Sequence, residues 1–327
     1  MGFEKLKKTQ PKVVKIIDSS IKMDRLVQVQ LFEGAKGTPK MDAALYLASR
    51  ILCETESACG VCKECMRIKD GIHPRVYLLD VIDKSIKKEQ IESLEHEFNE
   101  SGLEEGKRVF IINNIDKATL SASNSLLKFL EEMKEDTYGI LITDNINNVI
   151  STIKSRSQII SFGKVSKEEI VSEYIDMGVS EEISKVLAII TNDTGEGMSL
   201  IEQGYIVDIV ELVKDINNSF FDGSNPVLVF NEKGKFLLDI NDKFYHQVFL
   251  DLLITITNDR LYYLLNKQDE ILFSGSLMKI DNIYNINYNQ TFKQIEKIIE
   301  YKKRLQYYVN IELFYISLLL EMVKIYD

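Results

Sequence analysis

The chain has 327 residues, of which 45% are hydrophobic and 28% are charged, and its formal net charge at pH 7 is −10. This length and apolar content predict two or three globular domains with buried cores, and the acidic balance does not indicate strong autonomous binding to nucleic acid. Because no apolar stretch approaches the roughly 18 residues of a membrane span and the start lacks a signal-peptide hydrophobic region, we expect a cytoplasmic protein without membrane contact.

Short apolar runs alternate with amphipathic helices in the first half of the chain. The runs predicted to be buried strands are 27–32, 76–79, 108–112, 139–143 and 158–162. The helices predicted from spacing are 41–51, 86–99 and 121–133. This alternation is typical of an α/β domain with a mainly parallel sheet.

The loop after the first predicted strand lies where a phosphate-binding loop belongs. Such loops read G-x-x-x-x-G-K-[ST]: their backbone N–H groups wrap phosphate oxygens, the lysine neutralises charge and the hydroxyl holds Mg²⁺. Gly34, Gly37 and Lys40 lie in the loop, but Pro39 replaces the last glycine and Met41 replaces the hydroxyl residue. Proline has no N–H and fixes φ near about −65°. We therefore predict a degenerate loop that does not bind ATP.

All four cysteines of the chain, Cys53, Cys59, Cys62 and Cys65, lie within thirteen residues. Two C-x-x-C spacings with a fourth thiol nearby match the all-sulfur tetrahedral sites of structural zinc, and Gly60 helps the turn between two ligands to close. With four protein ligands no coordination position is open, so the metal would stabilise an insertion and would not catalyse. Redox-active or incidental cysteines are the alternative interpretation.

Helix signals dominate after residue 162. Ser166 and Glu169 form a predicted capping box, and Ser180 is a second N-cap candidate. Two glycines in 192–197 predict the end of a small group of helices. The predicted amphipathic helical segments 245–265 and 290–325, with an Asn-rich loop at 282–289, are typical of a helical bundle.

Blocks in the first 160 residues resemble the clamp-loader branch of the AAA+ proteins. Leu-Phe-Glu-Gly at 31–34 precedes the loop, and Gly-Ile-His-Pro at 71–74 follows the cysteines. Residues 109–117 look like the Walker B strand and its exit, and residues 124–132 match a helix typical of the branch. The segment 152–157 resembles the Ser-Arg-Cys block that bears an arginine finger.

The departures from the family pattern fall on one site. In ATP-hydrolysing relatives the Walker B strand ends in an Asp that serves Mg²⁺ and a Glu that polarises water, and these positions correspond to Asn113 and Asn114. Neither amide can act as a base. By contrast, Arg156 in the Ser-Arg-Ser block keeps the charge of an arginine finger, which acts in trans on ATP bound by an adjacent subunit.

The resemblance implies an AAA+ domain at 1–163 with a zinc-binding insertion at 53–65, a helical lid at 164–208 and an all-α collar at 209–327. It also implies a non-hydrolysing stator subunit of the DNA polymerase III clamp loader. The expected partners are motor (gamma/tau-like) and delta subunits in a hetero-pentamer. Sliding clamp and primer-template DNA would be reached through that complex.

Three alternatives remain open at this stage. The chain could be an ATP-hydrolysing motor subunit with an atypical phosphate-binding loop, although motor subunits carry an intact G-K-[ST]. It could be a freestanding zinc-binding nucleic-acid module, which the acidic charge disfavours. Arg156 could be an ordinary surface or salt-bridging arginine.

Overall fold

A computed structural model describes residues 3–55, 57–81, 85–100, 106–273, 275, 287–307 and 310–325. The chain divides into two units, Met1–Val165 and Ser166–Asp327. Most of the Asn-rich loop predicted at 282–289 lies outside the described residues. The described part begins at Asn287, which caps the next helix by accepting a hydrogen bond from the N–H of Asn289.

The first unit contains a five-stranded sheet in which every paired strand is parallel, in the order β2-β3-β4-β1-β5. Its strands are β1 Val29–Glu33, β2 Val76–Leu79, β3 Arg108–Ile112, β4 Thr137–Thr143 and β5 Gln158–Ser161. The helices of this unit are α1 Glu4–Thr9, α2 Pro11–Lys22, α3 Lys40–Leu52, α4 Lys63–Lys69, α5 Lys88–Glu100, α6 Leu120–Glu132 and α7 Ser151–Ser155. All five predicted strands and the three predicted helices are confirmed, with ends shifted by two residues or fewer.

Apolar side chains cover both faces of the sheet, as expected of parallel strands. Successive residues of a strand point to opposite faces, so Phe32 packs in one cluster with α2 and α3, while Leu31 packs in the other with α5 and α6. Both residues are 0% exposed. The sheet is therefore buried on both faces and supports the loops that follow the ends of its strands.

The carboxyl ends of the strands lie along one edge of the sheet. Glu33 of β1 pairs with Thr143 of β4, and the Gly34 N–H donates to the Thr143 carbonyl at 3.4 Å. Strand β1 lies between β4 and β5, so the chain order reverses here. Ligands of open α/β sheets bind at such a reversal, beyond the carboxyl ends of the strands. The loop at 34–41 begins at this place.

The second unit is helical throughout its described residues. Its helices are α8 Lys167–Asp176, α9 Glu181–Ile190, α10 Thr194–Glu202, α11 Tyr205–Ser219, α12 Pro226–Lys233, α13 Lys235–Asp239, α14 Lys243–Leu264, α15 Tyr288–Arg304 and α16 Ile311–Val323. The capping box is confirmed, because Ser166 Oγ accepts the Glu169 N–H and Glu169 accepts the Ser166 N–H. Ser180 caps α9 in the same way through the N–H of Ile183. A parallel sheet followed by helices confirms the expected fold class.

One detail of the helical prediction is wrong. The segment 290–325 is two helices, α15 and α16, and not one. The glycines of 192–197, predicted to lie near the end of a small group of helices, lie inside α10, which Asp193 caps. Gly197 is required there by packing, since a Cβ at this position would lie 1.8 Å from the Tyr174 hydroxyl.

A buried arginine joins three helices of the second unit. Arg260 of α14 is 0% exposed and donates to Asn217 of α11 and to Gln294 of α15. Its guanidinium also lies over the Phe221 ring, 4.7 Å from the centroid. A buried guanidinium without hydrogen-bond partners would be costly, so these contacts stabilise the packing of the helices. Within the described ranges, no helix combines the length and the apolar content needed to cross a bilayer.

Candidate functional site

The loop at 34–41 closes on itself at the start of α3. Pro39 is the N-cap residue of α3, with φ −77° and ψ 54°. The N–H and the Oγ1 of Thr38 both donate to the Ala35 carbonyl, at 3.2 and 2.7 Å. Met41 is partly buried and packs against the apolar cluster of α2 and α3. The helix therefore begins without an amide at 39 and without a hydroxyl at 41, which are two groups that a phosphate and its Mg²⁺ require.

Lys40 is directed into this loop and is only 4% exposed. Its Nζ donates to the carbonyls of Gly34 and Ala35 at 2.8 Å each and to Thr38 Oγ1 at 2.9 Å. It also forms an ion pair with Asp144 Oδ1 at 2.9 Å. An ammonium has three N–H donors, so these oxygens occupy all of them. A carboxylate of the same chain thus neutralises the charge that a phosphate would otherwise contact.

The two asparagines after β3 are engaged with their own surroundings. Asn113 Nδ2 donates to Asp80 Oδ1 at 2.9 Å, and Asn113 Oδ1 accepts the N–H of Asn114 at 3.0 Å. Asn114 has φ 56°, a left-handed conformation that asparagine tolerates, and its Nδ2 donates to the Val81 carbonyl at 3.3 Å. Neither side chain can accept a proton from water. The strand exit therefore contains no general base at these two positions.

The four cysteines come together at the junction of α3 and α4. Cys53 follows the last residue of α3, and Cys62 caps α4 by accepting the N–H of Cys65. All four Sγ atoms lie within 4.8 Å of one another. Cys53 Sγ lies 3.7 Å from Cys59 Sγ and 3.8 Å from Cys62 Sγ. Zinc–sulfur bonds of about 2.3 Å in a tetrahedron place the sulfurs about 3.8 Å apart, so the spacing fits zinc.

The environment of the thiols also fits a cation. Burial alone would raise the pKa of Cys53, but hydrogen bonds from Thr55 and from nearby backbone N–H groups outweigh it and lower the pKa to about 5. Burial, followed by the neighbouring thiols Cys62 and Cys53, raises the pKa of Cys65 to about 12. Four thiolates at this spacing repel one another, and a divalent ion removes that repulsion. Gly60, with φ 74°, makes the turn in the left-handed region.

Arg156 lies at the surface, at the C-terminal end of α7. Its side chain is 42% exposed, and its Nη2 donates to Glu131 Oε1 at 2.6 Å. Glu131 belongs to the last turn of α6 and is 55% exposed. The backbone beneath is fixed, because Ile153 is 1% exposed and accepts the N–H of Arg156 at 3.1 Å. The arginine is thus a salt-bridging residue whose side chain stays partly exposed.

The sequence did not single out Asp144 or the role of Glu131. Asp144 directly follows β4, so its place on the carboxyl edge of the sheet could be predicted, but its contact with Lys40 depends on strand order. Glu131 lies in the segment 124–132, which was matched to a helix typical of the branch without a role for this side chain. In addition, Thr143 Oγ1 donates to Asp116 Oδ1 at 2.8 Å, which connects the ends of β4 and β3. These contacts join residues that lie far apart in the chain.

Comparison with known proteins places the chain in one family. The family described as "DNA polymerase III, delta subunit" matches residues 9–166. The DNA polymerase III subunit delta' of Bacillus subtilis (strain 168) is 32% identical over 315 residues, which cover 95% of each protein. The gamma/tau subunit of Mycoplasma genitalium is 27% identical over 72% of this chain and 39% of its own length.

Among solved structures, a DNA polymerase III gamma subunit-related protein of Thermotoga maritima has a TM-score of 0.42 at 16% identity, covering 95% of this chain and 99% of that one. The relationship to the Bacillus subtilis protein extends over nearly the whole of both chains. The chain therefore belongs to the family of DNA polymerase III delta' subunits.

Proposed function

We propose that this chain is a stator subunit of the DNA polymerase III clamp loader that does not hydrolyse ATP. It would supply Arg156 to the ATP site of an adjacent motor subunit while its own nucleotide pocket stays empty. The contacts of Lys40 in the pocket and the exposure of Arg156 at the surface support this division of roles. The pocket has an internal carboxylate in contact with Lys40, whereas Arg156 is exposed at the surface.

The ion pair between Lys40 and Asp144 is the observation that carries this proposal. A phosphate-binding lysine must be available to the ligand, and Lys40 is 4% exposed with all its donors directed to oxygens of its own chain. A triphosphate would have to displace Asp144 and then meet its negative charge. Pro39 removes an amide at the same place. The cost of these changes argues against nucleotide binding.

The partners follow from the family and remain part of the proposal. We infer assembly with gamma/tau-like motor subunits and a delta subunit in a hetero-pentamer, which places the sliding clamp onto primer-template DNA. The second unit would provide a helical lid at 164–208 and a collar at 209–327 that holds the ring together. A cytoplasmic location is proposed with it, because thiols stay reduced in that compartment and remain available to a metal.

The alternative of an ATP-hydrolysing motor subunit makes different demands on the same residues. Hydrolysis needs a group that polarises water, and the amide of Asn114 cannot do so. It also needs an oxygen ligand for Mg²⁺ at the start of α3, where Met41 offers none. Steady ATP turnover by the purified chain in an ATPase assay would require the motor interpretation.

We further infer that the cysteine cluster holds one structural zinc ion. Metal analysis of the purified chain should give about one zinc per chain, and Cys59→Ser should lower this content strongly because one of four ligands is lost. Chelation should lower the melting temperature of the wild-type chain. Ser57→Ala, in the same turn but without a ligand atom in the cluster, is the matched control. Zinc content equal in the wild type and in Cys59→Ser would contradict the assignment.

A further inference from the structure

Glu131 occupies a position that is unfavourable for its own helix. Helix α6 ends at Glu132, and its last turn contains two acidic residues and no basic one. A helix C-terminus carries partial negative charge, so carboxylates there are destabilising unless a cation compensates. Arg156 provides that cation for Glu131, at 2.6 Å between Nη2 and Oε1. The contact joins two segments separated by 25 residues.

We propose that Glu131 is a positioning residue for Arg156: it holds the guanidinium in the direction from which it reaches phosphate bound by a neighbouring subunit. This inference rests on the proposed function of Arg156. It extends that function by assigning a role to a second side chain.

Only the side chain of Arg156 is left to be oriented. Its N–H donates to the Ile153 carbonyl at 3.1 Å, and Ser157 Oγ donates to the same carbonyl at 2.8 Å. Ile153 is itself buried in the apolar cluster beneath α6 and α7. The backbone that carries Arg156 is therefore anchored. A long arginine side chain loses much rotamer freedom when it is fixed, and an ion pair formed in advance reduces the loss on binding phosphate.

The geometry of the pair favours positioning over masking. The contact uses one N–H of Nη2, and a guanidinium has five N–H donors, so four remain for phosphate oxygens. Both side chains are about half exposed, and exposed ion pairs are weak. A weak contact can bias the direction of an arginine, but it cannot compete with the several charges of a triphosphate.

The test compares Glu131→Gln with Glu132→Gln in the clamp loader reconstituted with its motor and delta subunits. The two variants remove the same charge from adjacent exposed residues of one helix. We expect Glu131→Gln to lower kcat for ATP hydrolysis about two- to fivefold, the range for loss of one exposed ion pair, with KM for ATP unchanged. Glu132→Gln should match the wild type in ATP turnover, and both variants should remain folded at the assay temperature.

A double-mutant cycle separates this inference from the proposed function. Glu131→Gln should have no effect in an Arg156→Ala background, because no guanidinium remains to be oriented. If Arg156→Ala lowers turnover while Glu131→Gln leaves it unchanged, the positioning role is wrong and the finger stands. A faster Glu131→Gln enzyme would also overturn the inference, since it would mean that the carboxylate masks the arginine. Unchanged ATP turnover in the Arg156→Ala complex would instead contradict the proposed function itself.

Discussion

Arg156→Ala is expected to reduce ATP turnover at the adjacent motor site by about 10³-fold or more, the usual contribution of an arginine finger. The guanidinium stabilises negative charge that develops on the transferring phosphoryl group, and alanine offers no substitute. Because sites completed by other subunits would continue to work, total ATPase activity of the complex should fall to what those sites supply. DNA-stimulated ATPase activity of the reconstituted complex, together with a single-turnover measurement at the affected site, tests this reduction in turnover.

Arg25→Ala is the matched control for that experiment. Arg25 is an exposed arginine of the same unit and lies in the segment before β1. Its replacement removes the same charge and should leave turnover unchanged. If Arg156→Ala retained full activity in an intact complex, Arg156 would be a surface arginine paired with Glu131 and nothing more.

Lys40→Met is expected to destabilise the first unit and to leave nucleotide binding and ATP hydrolysis by the chain as they are in the wild type. The substitution removes a buried ammonium and leaves Asp144 and the Gly34 and Ala35 carbonyls without their donor. Removing one member of a buried ion pair costs about 3–5 kcal/mol, and we expect about 1–3 kcal/mol here because Asp144 is 37% exposed and water can reach it. Denaturant unfolding of the full chain measures this loss.

Two further variants test the cause of the Lys40→Met effect. Lys36→Met changes an exposed lysine of the same loop and should alter the free energy of unfolding by less than about 0.5 kcal/mol. Lys40→Met combined with Asp144→Asn should be less destabilised than Lys40→Met alone, because no uncompensated carboxylate is left. A double variant as unstable as the sum of its parts would show that the ion pair is not what Lys40 contributes.

Much of the fold could be predicted from the local sequence pattern. The five strands are short, mainly apolar runs, and parallel strands buried on both faces produce that pattern. The capping box at Ser166 and Glu169 is a four-residue signal whose chemistry is local, so it was confirmed as predicted. The cysteine spacing likewise predicted a cluster, because three of the four thiols lie within seven residues and one short turn brings them together.

What sequence pattern missed depends on contacts between distant segments. The close packing of Gly197 in α10 against Tyr174 in α8 is one such contact. The pairing of Lys40 with Asp144 needs β4 to lie beside β1, which chain order does not reveal. The contact between Glu131 and Arg156 joins α6 to the end of α7. In each case the missing information was spatial, while the residue types were already visible.

The central claim is that this chain has lost its own nucleotide site while it completes that of a neighbour. Calorimetric titration of the isolated chain with Mg-ATP tests the first half most directly, with the partner motor subunit as the positive control. The account predicts no saturable binding at ATP concentrations up to about 1 mM, which corresponds to a binding free energy weaker than about −4 kcal/mol. Saturable binding at micromolar ATP, lost in Lys40→Met, would contradict it.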